Sequence, residues 1–455
     1  MGVALATAAD ETTQGEHGPG LRRLIGPWLL LLFIVGDLLG TGIYSLTGEV
    51  ARHVGGAVWV PFLAAVVVAL FSACSYLELV TKYPSAAGAA LYVDKAFKRR
   101  GLTFVVGFAV MASGITSAST ASRAFAANLS DAFDLGLRGG IGITVVGLVF
   151  MLLISVINLR GLSESLIANV ILTLVEAGGL LLVIGIGALA IGAGEGDLNR
   201  AFQFGTEPGA DFLGPALTAT TLGFFAMIGF EDSVNMVEET RNPSRTFPRA
   251  LFVALSVTAL IYVAVSLAAV ALVPPDRLAT SGETPLLLVV RTGAPDFPVW
   301  IFGVITMFAV ANTALLNMMM ASRLIYGMAR SRVLPQKLGE VHATRRTPST
   351  AIAFTTAIAL CLVAFVGEIP ALAGTTTLLL LCVFAVVNVS VLILRREKVA
   401  HDHFRTPFAL PILGALSSVA LVGPWSGRPV AQYVIAAALV GIGTVLWFFT
   451  ARRAR

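Results

Sequence analysis

From residue 27 to residue 450 the chain is a run of twelve apolar stretches, of 18 to 31 residues, parted by short polar links. A stretch of about 20 apolar residues is what an α-helix needs to cross a bilayer. Inside the bilayer every backbone N–H and C=O must find its partner within the protein. The stretches cover 27–48, 57–80, 103–126, 139–158, 166–192, 213–236, 249–273, 298–328, 349–366, 371–394, 408–425 and 430–450. Only 13% of the residues are charged and mean hydropathy is +0.86, against about 25% charged residues in a soluble domain. A water-exposed surface cannot be built from so few charges. The pattern predicts an all-α polytopic membrane protein with twelve transmembrane helices. It excludes a soluble enzyme, a nucleic-acid-binding protein and a fibre.

The basic residues test this topology. With both termini on the cytoplasmic side, 23 of the 31 Lys and Arg residues fall in inner loops and tails. Six fall in outer loops, and Arg123 and Arg323 sit at span ends. Such a bias fixes orientation, and an odd number of spans would scramble it. The net charge of +5 therefore calls for no acidic partner. Residues 1–25 read as a disordered cytoplasmic tail with neither a cleavable signal nor a good myristoylation site. Residues 26–450 form the membrane domain and 451–455 a short cytoplasmic tail. Cys74, Cys361 and Cys382 all lie in apolar stretches and read as packing thiols.

Two of the twelve stretches are interrupted in the middle. The first reads FIVGDLLGTGIYSLTG, with Gly36, Gly40 and Gly42 at bilayer depth, and the sixth reads TTLGFFAMIGFEDSVNMVEETRNP, with Gly223 and Gly229 followed by acids. Glycine costs a helix about 1 kcal/mol relative to alanine. Unwound backbone at membrane depth is tolerated only where it lines a cavity or is buried in protein. Gly40 and Gly229 lie 189 positions apart, and each break opens a set of five spans. The arrangement predicts a 5+5 inverted repeat, about 27–192 and 213–394, with helices 1 and 6 discontinuous and two C-terminal helices (408–450) appended. Transporters place their substrate site at such breaks. The alternative is close helix packing, since Gly36 and Gly40 also fit a small-xxx-small spacing.

The apolar segments hold few ionisable groups, and those few are acidic: Asp37, Glu78, Glu176, Glu231 and Asp232. All five His and all five Lys fall in tails, loops or a helix end, and no HExxH, nucleophile elbow or P-loop occurs. Enzyme chemistry, a metal centre and a bound cofactor are therefore not expected. Ionisable groups in a membrane are costly and mark ion or substrate pathways. Asp37, Glu176, Glu231 and Asp232 become candidates to take a proton or cation, the alternative being carboxyls satisfied by a neighbouring helix. Glu78, beside Lys82 near an inner end, is expected to reach water. At the first break the amides of Gly40, Thr41, Gly42 and Ile43 open a half-helix and suit a carboxylate. At the second, carbonyls near Phe225 and Ala226 suit an ammonium group. Together they fit the head group of an α-amino acid, with Phe224, Phe225 and Phe230 as gate or packing residues.

Several motifs then point to a family. GTGIY (40–44), YLELVTKYPSAAGAALYV (76–93), NLRGLSES (158–165), FFAMIGFEDSVNMVEETRNPSRTFPRA (224–250), SRLIYGMARSRVLPQKLGEVHATRRTPSTA (322–351) and FRTPF (404–408) occur in this order. In these motifs the chain resembles the amino acid–polyamine–organocation (APC) superfamily, with its LeuT-type fold, from about Gly26 to Arg405. The resemblance implies secondary transport of amino acids or related amines by alternating access, often with protons or by exchange. It implies that Gly40, Thr41 and Gly42 hold the substrate carboxylate. Phe225, Ala226, Met227, Ile228 and Gly229 would line the pocket, and Phe230 would help close the outer side. Some proton-coupled relatives carry a lysine in the fifth span where this chain has Glu176, so the fixed positive charge is missing here. The expectation is a bacterial plasma-membrane amino-acid permease, proton-linked, in contact with lipid, a small-molecule substrate and a proton or cation. A polyamine or cationic amine carrier is the alternative.

Overall fold

The computed structural model describes residues 25–85, 88–137, 140–160, 165–205, 211–330, 334–342, 347–366 and 368–453. The expected N-terminal tail, apart from Ile25, lies outside the described residues, as do residues 454–455 and parts of three motifs (86–87, 161–164, 331–333 and 343–346). The α-helices are α1 (Pro27–Leu38), α2 (Thr41–Val54), α3 (Trp59–Lys82), α4 (Gly88–Phe97), α5 (Arg100–Ala132), α6 (Ile141–Arg160), α7 (Ser165–Gly192), α8 (Leu213–Gly223), α9 (Pro243–Leu272), α10 (Pro275–Ala279), α11 (Pro285–Gly293), α12 (Val299–Arg330), α13 (Ser349–Phe365), α14 (Ile369–Leu394), α15 (Ala409–Val422) and α16 (Val430–Arg453). Among the described residues the only β-type pairings are two isolated bridges.

Among the described residues ten segments are long and apolar enough to cross a membrane, counting α1–α2 as one and residues 213–239 as another. The other two expected spans are present as shorter apolar helices, α13 with 17 residues and α15 with 14. At about 1.5 Å per residue α15 is about 21 Å long. It stops where Gly423 and Pro424 follow, a pair that cannot continue a helix. Several helices outrun their expected bounds, α2 reaching Val54 instead of residue 48. Proline at the first helical position starts α9 at Pro243 instead of residue 249. Helix α5 runs on to Ala132, which places Arg123 inside the helix instead of at its end. Arg123 is buried there and donates to Thr144 Oγ1 at 2.9 Å.

Helices α5 and α12 pack along their lengths. The α5 sequence ASGITSASTASRAFAANLS is mostly Ala, Ser, Thr and Gly, and small residues let backbones approach. A Cβ on Gly303 of α12 would lie 2.2 Å from Cβ of Ala132, so nothing larger than glycine fits there. Buried hydroxyls on α5 return their hydrogens to the preceding turn: Thr116 Oγ1 to Ala112 O, Ser119 Oγ to Ile115 O and Thr120 Oγ1 to Thr116 O. In an apolar interior this satisfies them within the helix, and Thr116 Oγ1 also bonds Thr376 Oγ1 of α14 at 2.6 Å.

We call the end of the bundle that gathers Pro27, Lys82, Pro243 and Leu394 the basic end. Glu78 is buried there at 2% exposure and does not reach water. Its carboxylate accepts two hydrogen bonds from Arg395, at 3.0 and 2.8 Å, and one from the Thr406 N–H at 2.9 Å. Lys82 caps the C-terminal turn of α14 instead, donating to Leu394 O at 2.6 Å and Glu397 O at 2.7 Å. The expectation for Glu78 fails because its partner comes from more than 300 positions away in the chain. At the same end Ile25 pairs with the strand-like backbone around Thr240 (Ile25 N–H to Glu239 O and Arg241 N–H to Ile25 O, both 3.0 Å). The chain entering the first segment is thus tied to the chain leaving the sixth.

Candidate functional site

Both expected breaks are present. Helix α1 stops at Leu38, and α2 restarts at Thr41 behind Gly40. Gly40, the residue at the N-cap, has no side chain to cap this start. The first N–H groups of α2 therefore lack intrahelical acceptors, and that of Thr41 donates to Thr313 Oγ1 of α12 at 3.3 Å. In the sixth segment α8 stops at Gly223, and a single 3-10 turn covers Phe224–Met227. Ile228 is extended and Gly229 has φ +130°, which a residue with a side chain rarely adopts. The chain then continues as a 3-10 helix, Asp232–Glu239.

The two breaks touch each other. A Cβ on Gly42 would lie 2.5 Å from Ala226 Cα and 2.9 Å from Ala226 N. A Cβ on Gly229 would lie 2.8 Å from Asp37 Cγ. Glycine is needed at both positions for the close approach of one break to the other. The packing reading of Gly36 and Gly40 also holds: their missing side chains make room for Thr173 of α7 and Thr313 of α12.

The carbonyls of the second break are not free, as the sequence suggested. Phe225 O accepts the Ile228 N–H at 3.3 Å. Ala226 O accepts the Tyr262 hydroxyl at 2.9 Å, and the same hydroxyl bonds Leu38 O, the last carbonyl of α1. A phenol has one hydrogen to give, so it serves one carbonyl of each break in turn. The other then has a lone pair open to a further donor. Sequence reasoning missed Tyr262. The signal was a polar stripe on α9, Thr258, Tyr262 and Ser266, four residues apart in an apolar helix and all fully buried.

The four candidate acids divide. Glu231 is engaged: its Oε2 accepts the Gly229 N–H at 2.9 Å and so caps the break. Asp232 is half-buried, and its N–H donates to Gly229 O at 3.0 Å. Asp37 and Glu176 are buried, at 6% and 0% exposure, and Asp37 Oδ2 and both Glu176 oxygens have no hydrogen-bond partner. None of the four takes part in an ion pair among the described residues. Tyr44 of α2 fixes the neighbouring backbone by donating to Glu176 O at 2.7 Å. Asp37 touches the second break, while Glu176 stands behind the first on α7.

Phe224 and Phe230 are fully buried and share the ring of Phe384 on α14, with centroids 6.1 and 5.4 Å away. Phe230 also meets Tyr76 edge-on at 5.9 Å. Since α8 descends toward the basic end, Phe230 lies past the break on that side. Phe225, Met227 and Ile228 are also buried. At the opposite end, residues 275–293 sit over α2, with Arg52 donating to Ala279 O at 3.0 Å. Glu283 from this segment lies 4.0 Å from Arg123. Burial, with Asp131 and Glu368 nearby, pushes the Glu283 carboxyl up to about 7 despite Arg123. Among the described residues no cluster of His, Cys, Asp or Glu could hold a metal ion.

A sequence profile of the amino acid permease family matches residues 25–450. The chain is 30% identical over 404 residues to the Arabidopsis thaliana protein named cationic amino acid transporter 2, vacuolar, covering 85% of this chain and 62% of that protein. It thus spans about three fifths of that plant relative. It is 25% identical to the branched-chain amino acid permease BcaP of Bacillus subtilis, over 85% of this chain and 83% of that one. It is 26% identical to the methylthioribose transporter of the same organism, over 95% and 94%. With paired helix breaks at the centre of an all-helical bundle, and a match that covers that bundle from end to end, the chain belongs to the amino acid permease family of the APC superfamily.

Proposed function

We propose that the protein is a secondary active transporter of amino acids that works by alternating access in the plasma membrane and is linked to protons. One observation carries the reading: the two breaks meet, and one Tyr262 proton is shared between a carbonyl of each. The amides of Gly40, Thr41, Gly42 and Ile43 take the substrate carboxylate, at the positive end of α2. The Leu38 or Ala226 carbonyl left open by Tyr262 takes the ammonium. Residues 225–229 line the pocket. Phe230, packed on Tyr76 and Phe384, closes it toward the basic end and not the outer side. Gly42 and Ala226 must part for a ligand to enter, and this is the motion that alternating access supplies.

The architecture in this reading is a 5+5 inverted repeat, 27–192 and 213–394, with α15 and α16 appended, inside a permease domain of 26–450. The excess of Lys and Arg at one end supports a cytoplasmic location for both termini. Asp37, whose buried Oδ2 has no hydrogen-bond partner, and Glu176, neither of whose oxygens has one, are the groups most open to a proton; Glu231 and Asp232 act at the second break. Four acids with no base paired to them favour a second reading, a carrier or exchanger of polyamines or cationic amines. The name of the plant relative supports cationic substrates, whereas the bacterial relatives' names support branched-chain amino acids or methylthioribose.

The test uses the purified protein. Thermal stabilisation is screened against the twenty amino acids, agmatine, putrescine and spermidine. Uptake of the best compound into proteoliposomes is then followed with and without an inward proton gradient. Stabilisation by an amino acid and faster uptake with the gradient support the first reading. Stabilisation by diamines alone supports the second, and a rate indifferent to the gradient removes the proton linkage.

A further inference from the structure

Helix α7 carries Asn169, Thr173 and Glu176 at spacings of four and three, which puts them on one face. All are buried, at 3%, 1% and 0% exposure. The Thr173 hydroxyl donates to Asn169 Oδ1 at 3.2 Å. The Asn312 amide of α12, itself 1% exposed, donates to the same oxygen at 3.1 Å. The Asn312 side chain also faces the Glu176 carboxyl. Asn312 Oδ1 has no hydrogen-bond partner, and neither has either Glu176 oxygen. Thr173 in turn fills the space left by Gly36, next to Asp37.

The charge environment of this carboxyl is neutral or acidic. Asp37 from α1, Tyr44 from α2 and Tyr262 from α9 are the titratable groups that act on it or feel its charge. On α12 the nearest base is Arg323, eleven residues beyond Asn312 and so about 16 Å along the helix. On α11 it is Arg291, whose guanidinium donates to Asp131 O at 2.7 Å. No fixed cation on these helices can hold Glu176 ionised. An amide offers a donor to a carboxylate and an acceptor to a carboxylic acid. One hydrogen of the Asn312 amide is committed to Asn169, which fixes the plane in which the other hydrogen and the oxygen are presented.

We propose that Asn312 and Asn169 form an amide pair that positions the Glu176 carboxyl and sets the pH at which it exchanges its proton. This rests on the reading of Glu176 as a coupling group, and deepens it by naming the two positioning residues. The pair lets Glu176 gain and lose charge without a permanent counter-charge, and ties that event to the contact between α7 and α12.

The test reads the carboxyl directly. The full-length protein in lipid is titrated by infrared difference spectroscopy, and the carbonyl band of a protonated carboxylic acid that vanishes in Glu176→Gln is assigned to Glu176. In Asn312→Leu the titration midpoint of that band is expected to move by about one to two pH units, the worth of a hydrogen bond to a charged group. Asn312→Gln should restore most of it, and Asn169→Leu should move it in the same direction by less. Asn312→Ser serves where the leucine variant does not fold. A midpoint unchanged in folded Asn312→Leu or Asn312→Ser, or the absence of any band that depends on Glu176, overturns the proposal. Uptake separates the two layers. If Glu176→Gln removes the band but leaves the pH profile of uptake unaltered, the coupling reading fails while the positioning result stands.

Discussion

Replacing Tyr262 by phenylalanine removes one hydroxyl and keeps the ring, so the packing against Phe62, with centroids 5.7 Å apart, survives. What is lost is the hydroxyl that joins the first break to the second through a shared proton. Leu38 O and Ala226 O are both buried carbonyls at helix ends, and neither gains a replacement donor from the substitution. Leaving one buried acceptor unsatisfied costs about 1–3 kcal/mol. If that cost falls on the arrangement that binds and carries substrate, kcat/KM for uptake drops by between about 5- and 150-fold. The assay is initial-rate uptake in proteoliposomes, normalised to the amount of folded protein. The variant should remain in the membrane and elute as wild type. A kcat/KM within twofold of wild type would refute the reasoning, because the shared proton would then contribute nothing to the joined breaks.

Gly42→Val should abolish uptake while leaving the protein in the membrane, since a side chain there meets Ala226 backbone at 2.5 Å and cannot be accommodated by a rotamer change; surface abundance and uptake are measured together. Glu176→Gln should change the pH profile of uptake, and an unchanged profile would make Glu176 structural. Glu283 has a folded-state value of about 7, above its ordinary 4.5. The folded protein therefore holds this proton more tightly than the unfolded chain, and its stability from this group declines as pH rises from about 4.5 to 7. Glu283→Gln should accordingly gain on the wild type in thermal stability at pH 8 relative to pH 5; a difference independent of pH would contradict the assignment. Glu78→Gln should destabilise the protein by about 3–5 kcal/mol, because it strands Arg395 without its buried partner; expression and melting temperature test it.

Much of the architecture could be read from the sequence because the bilayer leaves few options. Apolar length marked the helices to within a few residues, and glycines at bilayer depth marked both breaks. The short helices α4, α10 and α11 escaped notice because they are too short to span, and α13 and α15 are shorter than a full span. What the sequence could not supply were partners that meet only after folding. Arg395 reaches Glu78, Thr313 reaches Thr41, and Asn312 reaches Asn169, each across more than 100 positions. None of these pairs leaves a local pattern. Tyr262 is an intermediate case: its stripe with Thr258 and Ser266 was legible as polar, but its two acceptors were not. The same lack of tertiary information made the carbonyls near Phe225 and Ala226 look free, and hid the packing of Phe230 on Tyr76 and Phe384.

The central claim is that the two breaks together hold the transported molecule. It is tested most directly by counterflow of the twenty amino acids, agmatine, putrescine and spermidine into proteoliposomes of wild type and Gly42→Val side by side. The account predicts that the wild type exchanges at least one of these compounds and that the variant, equally abundant and folded, exchanges none. Exchange by the variant at the wild-type rate, or no exchange of any of them by the wild type, would contradict it.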